Sequence, residues 1–112
     1  MGNIIDKLNR YAEKGKANKI LPYLKSKNQE TRIAAIRALG HCEKNEEAIN
    51  NLTSMMPFAT DKAERIAVFE ALGNLGKEQS FYQISHYFDK EIDPEVREVM
   101  RKAMGKIRQR NG

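Results

Sequence analysis

A thiol beside an imidazole is the pairing in this chain nearest to covalent chemistry, and Cys42 stands directly after His41. A cysteine nucleophile needs a base within reach and a third group to orient that base. Consecutive residues on a helix point about 100° apart, so His41 does not serve Cys42. The same periodicity puts Cys42 on an apolar face, where it packs as a small hydrophobe. His86 stands in a different segment without a partner at metal-ligand spacing, and one cysteine assembles neither a zinc set nor an internal disulfide. Gly73 and Gly76 lack the pattern and the following Lys-Ser/Thr of a phosphate-cradling loop. Glu43, Glu46 and Glu47 fall at a turn and a helix start, where carboxylates suit the helix dipole. These residues predict a protein that is not an enzyme and takes no cofactor and no metal.

Function must then come from surface. The 112 residues carry a net charge of +5. Residues 1–27 hold seven bases against two acids, residues 28–96 seven against twelve, and residues 97–112 six against one. Basic ends therefore flank an acidic middle, which reads either as ordinary solvated faces or as patches for an anionic partner. Arg101, Lys102, Lys106, Arg108 and Arg110 are the candidates for binding nucleic acid or another polyanion, an interaction that weakens steeply with ionic strength. On a helical wheel they spread around the axis and form no single stripe. The longest apolar run is too short to cross a bilayer, and the N-terminal segment lacks a signal peptide's apolar core. A cytoplasmic protein without a membrane partner is expected.

The elements that position these side chains are read from an internal repeat. The strings Arg32-Ile-Ala-Ala-Ile-Arg-Ala-Leu-Gly40, Arg65-Ile-Ala-Val-Phe-Glu-Ala-Leu-Gly73 and Arg97-Glu-Val-Met-Arg-Lys-Ala-Met-Gly105 place an arginine eight positions before a glycine. Successive copies are offset by 33 and then 32 residues, a period that marks stacked repeat units. A second apolar segment precedes each string: Ile20 to Leu24, Ala48 to Met56, and Phe81 to Phe88. Helical spacing in both segments predicts a hairpin of helix A and helix B in each unit. Asn28 is a candidate N-cap for the first B helix. Asp61 with Glu64 resembles a capping box, and Asp93-Pro94-Glu95 supplies an acceptor, a proline at N1 and a first-turn acid. Pro22 predicts a kink or a late start in the first A helix. Ala35, Ala38, Leu39 and Cys42 share one face of the first B helix. Val68, Ala71, Leu72 and Leu75 match them in the second, and Met100, Ala103, Met104 and Ile107 in the third. The aromatic set Phe81, Tyr82, Tyr87 and Phe88 suits the buried face of the last A helix. Residues 3–14 read as a lone helix capping the first unit. One domain follows, residues 1–112, with repeats at 17–43, 45–76 and 78–109.

These strings resemble HEAT-like repeats, especially the short kind seen in phycobilisome lyase-type proteins, whose pattern runs Val-Arg, an Ala-rich B helix, then Leu-Gly. Val96-Arg97 fits it best. Thr31 and Glu64 replace the valine in the other copies, and Met104 replaces the leucine in the third. The resemblance implies an all-α fold, a right-handed α-solenoid of about three helical hairpins plus the N-terminal cap, with B helices lining the concave side. It also implies structural roles for Arg32, Arg65 and Arg97. Relatives of this type include proteins that attach or detach bilin pigments, but no residue here carries that activity across, so kinship to a bilin lyase or an accessory subunit role stands as an alternative.

The functional expectation is a protein-interaction scaffold that takes a partner helix or peptide on the concave face. Opposite the core face the wheel places Ile33, Arg37, Gly40 and Lys44, then Ile66, Glu70, Gly73 and Lys77, then Glu98, Lys102, Gly105 and Gln109. Ile33 and Ile66 stand where water-facing helices favour polar residues, and Phe69 lies on the adjoining shoulder. An exposed apolar strip of this kind marks a partner site; the competing reading packs these side chains between neighbouring B helices. Ile33, Ile66 and Phe69 are the candidate grip, with Arg37, Lys44, Glu70, Lys77, Glu98 and Lys102 setting orientation. Self-association through the basic and acidic blocks is a further possibility.

Overall fold

A computed structural model describes residues 3–42, 45–57, 59 and 61–112. The elements are α1 (Ile4–Glu13), α2 (Ala17–Ile20) continued by a 3-10 segment (Leu21–Lys25), α3 (Gln29–Leu39), α4 (Glu46–Met55), α5 (Lys62–Leu75), α6 (Glu78–Phe88) and α7 (Pro94–Asn111). Among the described residues there is no strand.

Short polar residues start most of these helices. Asn3, Asn28, Asn45 and Asp61 each accept a hydrogen bond from the amide three residues on, at 2.8–3.1 Å. Asp93 accepts from Glu95 and Val96, with Pro94 as the first helical residue, where its missing N–H would have no partner anyway. Pro22 sits within the 3-10 segment, so the first A helix is α-helical for a single turn and then tightens. Gly76 ends α5 in the left-handed region at φ 70°, which glycine enters without steric penalty.

Helices α1, α3, α5 and α7 form one row, each packed on the next, while α2 with its 3-10 segment, α4 and α6 lie against their own partners α3, α5 and α7. The core runs along the row. Leu8, Ile20, Ile36, Leu39, Leu52, Leu72, Ile84, Met100 and Ile107 are fully buried in it. The B-helix faces read from the sequence are buried as expected apart from Met104, which is half-buried. Of the aromatic set, Tyr82 is 63% exposed, and Phe81, Tyr87 and Phe88 pack against the core from partly exposed positions.

The recurring glycines hold the row together. A Cβ on Gly40 would lie 2.9 Å from Ala71 Cα, and one on Gly73 would lie 2.9 Å from Ala103 Cα. Glycine of one unit thus meets alanine of the next at backbone contact distance. Among the described residues Gly105 has nothing within 4 Å of the equivalent point.

The recurring arginines work at the connections. Arg32 Nη1 donates to the Ser26 carbonyl at 2.9 Å, while its Nε and Nη2 donate to Glu64 Oε1 at 3.0 and 2.6 Å. Arg65 Nη2 reaches Glu91 Oε2 at 3.4 Å. Arg97 Nη1 donates to the Phe88 and Glu91 carbonyls, and its guanidinium lies 3.9 Å over the Phe88 ring. Arg32 and Arg65 each grip a carboxylate from the following unit, and Arg32 and Arg97 satisfy carbonyls left at the end of a helix A or its connection.

At the connection into α7, Lys62 bridges Asp93 and Glu95 at 3.1 and 2.8 Å. The Lys62 ammonium, followed by the Val96 amide, holds the Asp93 carboxyl below its ordinary value. Because that folded value is depressed, the stabilisation is present above the ordinary carboxylate range and is lost as pH falls through the lower folded value. Replacing Lys62 by methionine should return the Asp93 titration, followed by side-chain carboxyl NMR, towards its ordinary value.

Candidate functional site

The open face of the B-helix row carries a groove of about 340 Å³. Arg37 and His41 come from α3 and the residues just after it, Glu70, Ala71 and Asn74 from α5, and Val99, Lys102, Ala103 and Lys106 from α7. Two rows at the repeat spacing cross it. One is Arg37, Glu70 and Lys102; the other is His41, Asn74 and Lys106. The two residues contributed by each helix stand four apart, so they lie one turn apart on a single face. Between them the partly exposed Val99 lies over the buried Ala71 and Ala103.

Electrostatics divide the groove. Arg37 Nη1 meets Glu70 Oε1 at 2.7 Å, which neutralises the part between α3 and α5. Lys106 Nζ donates to the neutral amide oxygen of Asn74 at 2.7 Å. Lys102 is exposed and has no ion-pair partner among the described residues. The α7 side is therefore cationic. His41 is exposed at the join with a second concavity lined by Asn9, Ala12 and Glu13 of α1.

Several expected site residues lie elsewhere. Phe69 is 3% exposed and belongs to the core, so it offers no partner grip. Helix α5 has α3 on one side, α7 on the other and α4 behind it, and it buries most of its circumference. Ile33 and Ile66 are half-buried and pack against the core as well. They are not an open strip opposite it. Changing either to serine should cost about 1–2 kcal/mol of unfolding free energy, measured by urea titration; unchanged stability would show them to be surface residues.

Gly40 and Gly73 face the next B helix and not the groove floor. The second row of the groove accordingly runs one residue later, through His41, Asn74 and Lys106. Lys77 follows the end of α5, N-caps α6 and pairs with Glu46, so it is not on the B-helix face. Glu98 pairs with Arg101 on α7, and Lys44 lies outside the described residues. Only Arg37, Glu70 and Lys102 of the expected concave contacts line the groove. His41, Asn74 and Val99 are lining residues that sequence reasoning assigned no part in binding, and Lys106 was placed only with the polyanion set. The repeated glycines hold the missing signal: a glycine kept at one position of each B helix marks the seam, which rotates the open face onto the residue after it.

The bases of α7 do not share one surface. Lys102 and Lys106 face the groove. Arg101 pairs with Glu98, and the Arg108 guanidinium lies 4.3 Å over the Phe81 ring. Arg110 crosses to the end of α5, where Nη1 donates to the Asn74 carbonyl and the stem covers Gly76. Helix α7 runs through Asn111, which donates to the Gly76 carbonyl at 2.8 Å, so its last turn is tied to the end of α5.

No group of three His, Cys, Asp or Glu side chains among the described residues could hold a metal ion, and no helix there is long and apolar enough to cross a membrane. Cys42 is 1% exposed, donates to the Ala38 carbonyl at 3.7 Å, and has its thiol pKa pushed up by burial. A buried, protonated thiol is inert. Native protein should react with a thiol reagent only at the rate of unfolding, and prompt stoichiometric labelling would contradict this burial.

Helical pairs stacked at a fixed period, joined along one row of B helices, define a solenoid of helical repeats. Residues 17–105 match the family described as HEAT repeats, and the chain belongs to that family. No curated protein and no solved structure matches it.

Proposed function

We propose that this chain is a non-catalytic interaction module that binds a segment of another protein in the groove across α3, α5 and α7. The observation that carries the reading is the lining: polar rows drawn from three successive repeat units, with the partly exposed Val99 between them over the buried Ala71 and Ala103. An apolar contact flanked by a few polar groups suits recognition of a peptide. Family membership adds support, since HEAT repeats often serve as interaction scaffolds. The volume is small, about 340 Å³, so the groove takes a few side chains and not a folded domain.

The test is selection of binding peptides from a random library without charge bias, followed by amide NMR mapping of where they sit. Shifts concentrated at Ala71, Asn74, Val99 and Ala103 are the expected result. Shifts confined to the outer faces of α4 and α6, or none at all, would remove the groove as the site.

A further inference from the structure

We infer that the groove selects an acidic segment of its partner, with carboxylates seated against Lys102 and Lys106 and an adjoining small apolar side chain on Val99. This rests on the reading of the groove as a protein-binding site.

Lys62 and Lys77 are each neutralised by a carboxylate from a different repeat unit, Lys62 at Asp93 and Glu95, Lys77 at Glu46. Like most lysines among the described residues, the two groove lysines form no ion pair, and here they stand together on one wall. Lys102 is unpaired among the described residues, and Lys106 bonds only the neutral amide oxygen of Asn74. Among the described residues the one carboxylate in the lining, Glu70, is engaged by Arg37 on the far side. The α7 side therefore presents two ammonium groups that no described carboxylate pairs with.

Spacing narrows the ligand. Lys102 and Lys106 stand one helical turn apart, about 6 Å along the axis. Carboxylates one turn apart on a partner helix match that distance, as do carboxylates two residues apart on an extended strand, about 7 Å. The partly exposed Val99 beside them gives the contact an apolar component that salt does not screen.

The lining fits nucleic acid less well. Among the described residues its one aromatic ring is the imidazole of His41, with no Phe, Tyr or Trp to extend a stacking platform. Glu70, on the central helix, opposes a run of phosphates. The other α7 bases that would extend a phosphate track are turned away: Arg101 to Glu98, Arg108 to Phe81 and Arg110 to Asn74.

The peptides selected from the charge-neutral library provide the test. The bound pool should be enriched in aspartate and glutamate. By fluorescence anisotropy, the best acidic peptide should bind about tenfold or more tightly than its amide isostere, with Asn for Asp and Gln for Glu. The K102Q/K106Q double variant should abolish that preference while its melting temperature stays unchanged. If the pool maps to the groove but shows no acidic enrichment, or if the isostere binds as tightly, the charge inference fails and the groove reading stands. If peptides give no shifts in the groove, the groove reading itself fails. Labelled oligothymidine, run alongside, would replace the inference with a polyanion site if it bound there more tightly than the peptides.

Discussion

Replacing Gly73 by alanine should lower the stability of this protein by about 1–3 kcal/mol, while the same change at Gly105 should raise it by about 0.5–1 kcal/mol. The opposite signs follow from the neighbours. At Gly73 a new Cβ would meet the Ala103 Cα and Cβ, both at 2.9 Å, so backbone on α5 or α7 must move. At Gly105 there is nothing within 4 Å among the described residues, so alanine brings only its better helix propensity. Gly40 should follow Gly73, since its Cβ would lie 2.9 Å from Ala71 Cα. Leucine at Gly73 should cost about 3 kcal/mol or more, because overpacking then separates two helices along their whole contact. Urea titrations of the alanine variants check the set. A destabilised Gly105→Ala, or an unaffected Gly73→Ala, would show that the glycines serve something other than the seam.

The second large effect is expected at the ion pair between the first two units. Glu64 has 11% of its side chain exposed and Arg32 has 27%. Removing the carboxylate strands a guanidinium that is largely out of water, and full burial of such a charge costs about 3–5 kcal/mol. The remaining exposure of Arg32 lets water recover part of this, so Glu64→Ala should destabilise by about 2–3 kcal/mol. Arg32→Met should cost a similar amount, because it also leaves the Ser26 carbonyl without the donor at 2.9 Å. The combined variant Arg32→Met/Glu64→Leu should lose less than the sum, by about 1 kcal/mol or more, since neither charge is then abandoned. Strict additivity in that cycle would mean the two side chains act independently.

The architecture was legible because its signals are local and repeated. The arginine-to-glycine strings set the unit length, and Asn28, Asp61 and Asp93 marked helix starts that each cap an amide. The site was harder to read because a helical wheel assumes one buried side. Helix α5 has neighbours on three sides, so Phe69 looks like a shoulder residue on the wheel and lies in the core. The rotation of the groove onto His41, Asn74 and Lys106 depends on which neighbour each glycine touches, and that contact joins residues about thirty positions apart. Sequence periodicity carries no direct record of it. The spread of α7's bases was visible on the wheel, whereas the tether of Arg110 to Asn74 needed the fold.

The two layers of this protein differ in how tightly they are joined. The B helices meet at backbone distance through Gly40–Ala71 and Gly73–Ala103, whereas α4 and α6 lie mainly against their own B helices and share little contact with each other. Mechanically the B-helix row is a stiff spine and the A-helix layer a set of loosely spaced ribs. Bending that opens the ribs strains little, and bending that stretches the spine breaks its closest contacts. Elastic compliance therefore belongs to the A-helix layer, and the B-helix row keeps a nearly constant length as the solenoid bends.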